Sequence, residues 1–178
     1  MVFNMGSATD CPNRGRCQAG AKCYALRDET VYKKDCLNFH RLQGAYWESI
    51  TAELFAELTI EKIGRGRGKK INELRFNEAG DMKTENDVLK LEKIAQLLQP
   101  AGVTVYTYTA TKQLKPFIEN NVKTAVVNGS GFTIKGKIFK LFKKGQKVPR
   151  GWVMCRGKCE GCNYCKTSEP LKIAIVEH

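Results

Sequence analysis

The sequence predicts an α/β fold: a small, mostly parallel sheet with flanking helices, and cysteine-rich loops at both ends of the chain. Short runs of β-branched and aromatic residues alternate with stretches of helical periodicity, and the connections are short. Strands joined by helices in this way form parallel sheets with right-handed crossovers. All eight cysteines lie before residue 37 or after residue 154. We therefore expect one domain, 1–178, with a metal-binding loop at 1–36, an α/β core at 37–150, and a cluster loop with a last strand at 151–178.

A long amphipathic helix is predicted from Lys34 to Lys62. Its apolar residues recur every three or four positions and predict a single buried stripe. The stripe consists of Phe39, Leu42, Tyr46, Ile50, Leu54 and Leu58. The glycine-rich segment Gly64–Lys70 is expected to end the helix.

The middle of the chain alternates between strands and helices. The predicted strands are Ile71–Asn77, Val103–Thr109, Val122–Val127 and Leu171–Glu177, with a hairpin over Gly131–Phe142. One helix is predicted over Glu85–Gln99 with Thr84 as its cap, and a shorter one over Lys112–Asn120, where Pro116 limits regularity.

Basic residues dominate the charge of the chain, whose formal net charge is +12. Residues 132–150 contain seven lysines or arginines and no acid, and residues 65–70 contain four more. The positive potential of these segments would attract an acidic redox partner protein or nucleic acid, and would balance the charge of an anionic cluster. The alternative interpretation is that these basic residues only form a solvent-exposed surface without a partner. No apolar run is long enough for a membrane span, and the first residues lack a secretion signal. We therefore expect a cytoplasmic protein with reduced thiols, which are available to metals.

The C-terminal cysteines form one continuous run, Cys155-x3-Cys159-x2-Cys162-x2-Cys165. Four soft thiolates at short spacing are typical of a [4Fe–4S] cluster, and the glycines between them leave amide N–H groups free for cluster sulfurs. Zinc also binds four cysteines, but structural zinc sites usually combine two separated Cys-x2-Cys knuckles. The spacing therefore favours an iron–sulfur cluster over zinc.

The N-terminal cysteines are spaced evenly, Cys11-x5-Cys17-x5-Cys23, and Cys36 follows. Cys36 is either a fourth ligand or a buried helix cysteine, and His40, one turn later, is an alternative ligand. Three arrangements remain open, of which one cluster per cysteine group is favoured. The second places a cluster in the C-terminal group and zinc in the N-terminal group, and the third is one site that shares ligands from both ends. We expect one or two [4Fe–4S] clusters per chain.

The spacing Cys155-x3-Cys159-x2-Cys162 also matches the radical S-adenosylmethionine enzymes. In those enzymes the motif follows the first strand and precedes a long run of barrel units, whereas sixteen residues follow Cys162 here. Cys165 is close enough to occupy the open iron position, and Gly161 stands where an aromatic residue is usual. Radical S-adenosylmethionine chemistry is therefore a third hypothesis.

Polar residues gather at the C-terminal ends of three predicted strands. They are Arg75, Asn77, Glu78 and Asp81 on the first, Tyr108 and Thr109 on the second, and Asn128 and Ser130 on the third. In open α/β sheets this edge faces the ligand crevice. The pattern predicts a shared pocket near a cluster, with simple turn formation as the alternative interpretation.

The order of several short segments resembles the phage "gene product 88" family. The segments are CPNRGRCQAGAKCYA (Cys11–Ala25), LRFNEAGDM (Leu74–Met82), VYTYTAT (Val105–Thr111), VVNGSG (Val126–Gly131) and the terminal cysteine run. The resemblance covers the chain from about Cys11 to Cys165, and its most specific parts are CYA and RFNEAGD. It implies a phage- or prophage-encoded protein of a bacterial host, iron–sulfur binding, and strands similar to part of a radical-SAM-like barrel.

The sequence favours an iron–sulfur protein with a redox role, which transfers electrons or performs a small reductive reaction as an oxidoreductase. An N-terminal group with an incomplete ligand set favours catalysis, because an iron without a protein thiolate can accept substrate. The alternative is a zinc- or cluster-stabilised nucleic-acid-binding protein, indicated by aromatic residues among the basic ones: Phe132, Phe139, Phe142 and Trp152. Hydrolytic chemistry is disfavoured because the chain has two histidines and no recognisable nucleophile motif.

Overall fold

A computed structural model describes residues 1–20, 23–65, 71–159 and 161–177. Within these residues, seven parallel strands form one sheet in the order β1-β2-β3-β4-β5-β7-β6. The strands are β1 (Val2–Phe3), β2 (Glu73–Phe76), β3 (Thr104–Thr109), β4 (Val126–Ser130), β5 (Ile138–Phe142), β6 (Val153–Met154) and β7 (Lys172–Val176). The flanking α-helices are α1 (Tyr24–Val31), α2 (Asn38–Ser49), α3 (Ala52–Arg65), α4 (Glu85–Leu98) and α5 (Lys115–Asn121). The predicted fold class, with cysteines towards both chain ends, is confirmed.

The first five strands are neighbours in chain order and all run in the same direction. Because crossovers between parallel strands are right-handed, such an order winds the connecting helices onto one face of the sheet. Helix α4 accordingly packs against both α3 and α5. The carboxyl ends of β1 to β4 therefore meet at one edge.

The two faces of the sheet differ in chemistry because side chains alternate along each strand. Leu74, Phe76, Val105 and Val127 point to the helices and belong to the main core. The intervening positions point to the opposite face and carry polar or aromatic side chains: Arg75, Tyr106, Tyr108 and Asn128. This second face receives the C-terminal cysteine segment.

An aromatic cluster forms the centre of the main core. Phe76 is fully buried and lies with its ring centre 5.5 Å from that of Trp47, 5.6 Å from that of Phe55 and 5.7 Å from that of Phe3. The Trp47 indole N–H donates to Asp87 Oδ1 at 2.7 Å, so its polar atom is also satisfied. These rings join β1, β2, α2 and α3.

The prediction of one continuous helix over Lys34–Lys62 is wrong. The chain forms a π-helical turn at Lys33–Leu37, then α2, and α3 starts again at Ala52. Ile50 adopts an extended conformation with ψ 148°, which ends α2. The Lys90 ammonium donates to the carbonyls of Trp47 and Ile50, and so binds carbonyl groups that the helix end leaves unpaired.

The predicted apolar stripe on this region is also wrong in most positions. Phe39 is 57% exposed and Leu42 is 68% exposed, and three further members are exposed as well: Tyr46, Leu54 and Leu58. The core instead receives Trp47 and Phe55. Within each helix a different set of positions is buried: Gly44 and Trp47 in α2, and Ala52, Phe55, Ala56 and Thr59 in α3.

Most of the other predicted ends of helices and strands agree closely with the observed ones, but two predicted elements differ from the structure. Thr84 forms a capping box with Asp87 at the start of α4, as expected for a helix from Glu85. The predicted strand Val122–Val127 starts only at Val126. The predicted hairpin over Gly131–Phe142 is an isolated bridge between Ile134 and Lys137, followed by β5 parallel to β4.

Two further predicted segments, the short helix and the glycine-rich break, compare with the structure as follows. The helix predicted over Lys112–Asn120 begins as a 3₁₀ turn at Lys112–Leu114 and continues as α5. The glycine-rich break falls largely on residues 66–70, outside the described residues. In the described part of the chain, no helix combines the length and apolarity that crossing a membrane requires.

Gly80, in the loop after β2, lies close to the backbone of Gly6. Its φ is +72°, and an added Cβ would lie 2.7 Å from the backbone oxygen of Gly6. Gly102 has φ +73° and nothing within 4 Å of an added Cβ, so it is a matched control. We expect Gly102→Ala to lose about 1 kcal/mol of unfolding free energy, and Gly80→Ala to lose about 1–3 kcal/mol more. Urea unfolding measures both; equal losses would contradict the close approach to Gly6.

Candidate metal centre at the carboxyl edge of the sheet

Three N-terminal cysteines line one cavity. Cys11, Cys17 and Cys23 face a space of about 150 Å³ at the carboxyl edge of β2, β3 and β4. The cavity is also lined by residues from the predicted pocket: Asn77, Glu78, Asp81, Tyr108, Thr109 and Ser130. Arg75 and Asn128, also predicted for the pocket, do not line it.

The loop that carries these cysteines is fastened to the sheet by side-chain amides. Gln18 donates to Ser130 Oγ at 2.9 Å and to the Phe139 carbonyl at 3.0 Å, and its Oε1 accepts the Leu141 N–H at 2.8 Å. Asn13 donates to Asp81 Oδ2 at 2.9 Å. Nothing in the sequence distinguishes these two amides from ordinary loop residues, so sequence analysis missed both.

Asp81 is a buried carboxylate that organises this edge. It accepts the Ala110 N–H at 2.7 Å and the Met82 N–H at 2.8 Å, besides the Asn13 amide. Burial raises its pKa from 3.8 to about 6, although these hydrogen bonds act in the opposite direction. The carboxyl group is therefore ionised at neutral pH and serves as a hydrogen-bond acceptor for three segments of the chain.

Asp81→Asn is expected to loosen the cysteine loop. The new amide N–H₂ would face backbone N–H donors, and a buried donor without an acceptor costs about 1–3 kcal/mol. We expect faster hydrogen exchange of residues 11–17 and of Ala110, measured by mass spectrometry on proteolytic fragments. Asp28→Asn, at a partly exposed aspartate of α1 whose ion pair is with the neighbouring Arg27, is the control. Unchanged exchange in Asp81→Asn would show that Asp81 does not anchor the loop.

Two other residues of the segment after β2, Asn77 and Glu78, have different surroundings. Asn77 has φ +62°, and its Oδ1 accepts the Met5 N–H at 3.1 Å, so this side chain fixes the start of the loop. Glu78 differs, because its side chain is 45% exposed and its carboxylate lies 3.8 Å from Arg75. Glu78 is thus the acidic lining group that remains accessible to a ligand.

The thiol of Cys11 lies in an environment that disfavours its charge. Burial raises its pKa to about 12, and the nearby Asp81, Cys17 and Cys23 add to that effect. A thiol of this kind becomes a thiolate when a metal cation replaces its proton.

Cys36 lies apart from the other N-terminal cysteines. It does not line the cavity, and its Sγ is 3.9 Å from both ring nitrogens of His40. His40 Nδ1 is bonded to Glu29 Oε1 at 2.7 Å. Glu29 also accepts the N–H groups of Ala8 and Thr9, each at 2.7 Å, so this group supports the loop that leads to Cys11.

The C-terminal cysteines lie against the polar face of the sheet. Cys165 is close enough to Cys155 and Cys162 for their charges to raise its pKa, after burial as the larger cause. Cys159 is exposed, and the residue after it lies outside the described chain. The Asn128 side chain donates to the Cys165 carbonyl at 2.9 Å, which holds the segment against β4.

Tyr108 is shared by both cysteine groups. It lines the cavity of the N-terminal cysteines, and burial together with the nearby Cys165 thiol raises the pKa of its phenol group. The Arg75 guanidinium lies 5.2 Å from the centre of the Tyr108 ring, in cation–π contact. The fold therefore brings both predicted metal-binding groups close to one side chain.

The cysteines supply the donor type that iron–sulfur clusters use, soft sulfur atoms. All eight, each within the described chain, are free thiols. Among the described residues, no group of three or more His, Cys, Asp or Glu side chains is arranged to hold a metal ion. A four-iron cluster attaches each thiolate to a different iron, so its ligands surround a volume. Cys11, Cys17 and Cys23 line one cavity, and Gly157 and Gly161, within the C-terminal cysteine run, have positive φ, which suits a tight turning loop.

The basic residues of the tract at 132–150 are exposed except at one position. Its exposed members are Lys135, Lys140, Lys143, Lys144, Lys147 and Arg150, whereas Lys137 is buried. The aromatic residues between them pack within the fold: Phe142 is buried against Trp152 with ring centres 5.3 Å apart, and Phe139 packs on Tyr108 at 5.1 Å.

Comparison with family models, curated proteins and solved structures found no match to this chain. The resemblance to the phage family stays a prediction, and the interpretation of the site rests on its own residues.

Proposed function

We propose that the chain is an iron–sulfur protein with a redox role, in which Cys11, Cys17 and Cys23 ligate a [4Fe–4S] cluster at the carboxyl edge of the sheet. The observation that supports this most directly is the cavity that these three thiols share with the ends of three strands. Three protein thiolates leave one iron of a four-iron cluster without a protein sulfur ligand. A small ligand could reach that position from the cavity.

The four C-terminal cysteines, Cys155, Cys159, Cys162 and Cys165, would ligate a second cluster. A bound cluster supplies one-electron transfer where four thiolates complete its ligand set, and a coordination position for a small molecule where only three do. Four cysteines in one group and three in the cavity, both near Tyr108, would give one complete and one incomplete ligand set, which supports a reductive reaction at the N-terminal site.

The chain's own residues complete the proposed site. Asp81 and Asn77 hold the loop, while Glu78 offers an accessible carboxylate to a hydrogen-bond donor or cation of the ligand. The lysines and arginine exposed at 135–150 suit an acidic redox partner. Nucleic-acid binding is less well supported, because Phe139 and Phe142 pack within the fold and do not form a stacking platform.

Anaerobic purification with iron and sulfide quantification and electron paramagnetic resonance tests the proposal. We expect about eight irons and eight sulfides per chain, from two four-iron clusters, a brown colour, and two paramagnetic species on reduction. A colourless protein that retains zinc, and stays free of iron after reconstitution with ferrous iron and sulfide, would show that the proposal is wrong.

A further inference from the structure

A carboxylate, an imidazole and a thiol come together from α1, the π-helical turn and α2. Glu29 of α1 has a fully buried side chain, and its Oε1 lies 2.7 Å from His40 Nδ1. The Cys36 Sγ lies 3.9 Å from each ring nitrogen of His40. Cys36 belongs to the π-helical turn, and such turns are frequent at functional sites. The three side chains stand in the order that nucleophilic catalysis uses: carboxylate, base and nucleophile.

The hydrogen bond to Glu29 fixes which nitrogen of His40 carries a proton. Burial opposes the negative charge of Glu29, but hydrogen bonds from His40, Ala8 and Thr9 lower its pKa, so the carboxylate is ionised at neutral pH. An ionised carboxylate only accepts hydrogen bonds. His40 Nδ1 therefore donates its proton to Glu29, and the neutral ring keeps its lone pair on Nε2. This free nitrogen is within reach of the Cys36 thiol.

The Cys36 thiol is protonated in the resting protein. Burial raises its pKa, and the negative charges of Glu29, Asp28 and Glu78 act in the same direction. Such a thiol attacks slowly by itself, because the thiolate is the nucleophile. His40 Nε2 can take the proton during the attack, and the Glu29 carboxylate stabilises the imidazolium that results. The thiol thus has a general base beside it.

The thiol is also accessible to a small molecule. Cys36 is partly exposed and forms no disulfide within the described chain. Tyr32, four residues before it, is 62% exposed, and Phe39, three residues after it, is 57% exposed. Aromatic rings make favourable contacts with sulfur, so this segment suits a compact ligand that contains sulfur.

We propose that Cys36 is a nucleophilic thiol that reacts with low-molecular-weight disulfides, with His40 as its general base and Glu29 as the residue that positions His40. The Cys36 sulfur attacks one sulfur of the disulfide while its proton passes to His40 Nε2. A new S–S bond forms to the attacked sulfur, and the old S–S bond breaks with its electron pair on the departing thiolate, which takes the proton from His40. Cys36 is oxidised, and half of the disulfide leaves as a thiol. This site goes beyond the proposed function, in which Cys36 is not a cluster ligand.

The test uses the full-length protein, purified without oxygen, and hydroxyethyl disulfide as the probe. Mass spectrometry of proteolytic fragments measures how fast the fragment with Cys36 gains a hydroxyethylthio group, so the other cysteines do not contribute. A peptide of residues 31–39 contains Cys36 without Glu29 or His40 and gives the reference rate. We expect Cys36 in the protein to react about tenfold faster than in the peptide, and His40→Asn to slow the protein about 100-fold.

The variants separate chemistry from support of the fold. His40→Asn keeps an N–H donor for Glu29 but supplies no base, and circular dichroism checks that its fold is retained. Glu29→Gln removes the charge that stabilises the imidazolium, so the rise of the Cys36 rate with pH should move to lower pH. His178→Asn, the same substitution at the other histidine of the chain, is the matched control and should leave the rate unchanged.

Two results would overturn the inference. If Cys36 in the parent protein reacts no faster than in the peptide, the thiol is not activated, whatever the variants do. If His40→Asn reacts as fast as the parent, His40 is not the base. The iron content of the parent judges the proposed function separately, so either proposal can fail without the other.

Discussion

Replacing Cys17 with serine is expected to lower the iron content of the anaerobically purified protein from about eight to about four atoms per chain. Cys17 lines the cavity at the carboxyl edge of the sheet together with Cys11 and Cys23. A serine hydroxyl is a poor substitute for a soft thiolate, so the N-terminal cluster should be lost while the C-terminal one stays. Iron and sulfide quantification measures the loss, and the remaining paramagnetic signal identifies the surviving centre.

Cys36→Ser is the matched control for this prediction. Its thiol lies beside His40 and does not line the cavity, so the variant should keep about eight irons. If Cys36→Ser also loses half of its iron, Cys36 is a fourth ligand and the proposed open position is wrong. If Cys17→Ser keeps all of its iron, the cavity does not contain a cluster.

Phe76→Ala is expected to cause the largest loss of stability, about 3–5 kcal/mol. The side chain is fully buried, and its ring contacts three other aromatic rings that belong to three different elements. Removing it leaves a cavity where β1, β2, α2 and α3 meet. Urea unfolding followed by tryptophan fluorescence measures the change, because Trp47 is one of the contacting rings.

Phe39→Ala is the comparison for Phe76→Ala. Phe39 is 57% exposed on α2, although its helical spacing predicted a buried position. We expect its loss to change the unfolding free energy by no more than about 0.5 kcal/mol. A loss near that of Phe76→Ala would show that α2 presents its other side to the core.

The sheet could be predicted because its signals are local. Runs such as Val105–Thr109 and Lys172–Val176 are rich in β-branched residues, which identify strands from a few neighbouring positions. The start of a helix is marked by Thr84 and Asp87, which form a capping box between residues three positions apart. The meeting of Asn77, Asp81 and Tyr108 at one edge also follows from parallel strands alone. Knowledge of strand direction was enough to place the pocket.

The remaining features depend on contacts between residues distant in sequence. The break at Ile50 is stabilised by Lys90 from another helix, and no periodicity in residues 34–62 indicates it. Lys137 looks like any other lysine of its tract until the C-terminal segment folds over it. Likewise, the sequence leaves Cys36 as either a ligand or a buried helix cysteine, and only the fold shows its thiol beside His40, which is bonded to Glu29.

The three hydrogen bonds of Gln18 have a consequence for how the protein matures. They join the N-terminal loop to Ser130, Phe139 and Leu141, residues more than a hundred positions away. During synthesis on the ribosome, the loop therefore cannot settle before β5 has emerged, and closing so long a stretch of chain is slow. Until then its thiols face the solvent, open to oxidants and to the wrong metals. Under the proposed function, iron would bind late, after most of the chain is made.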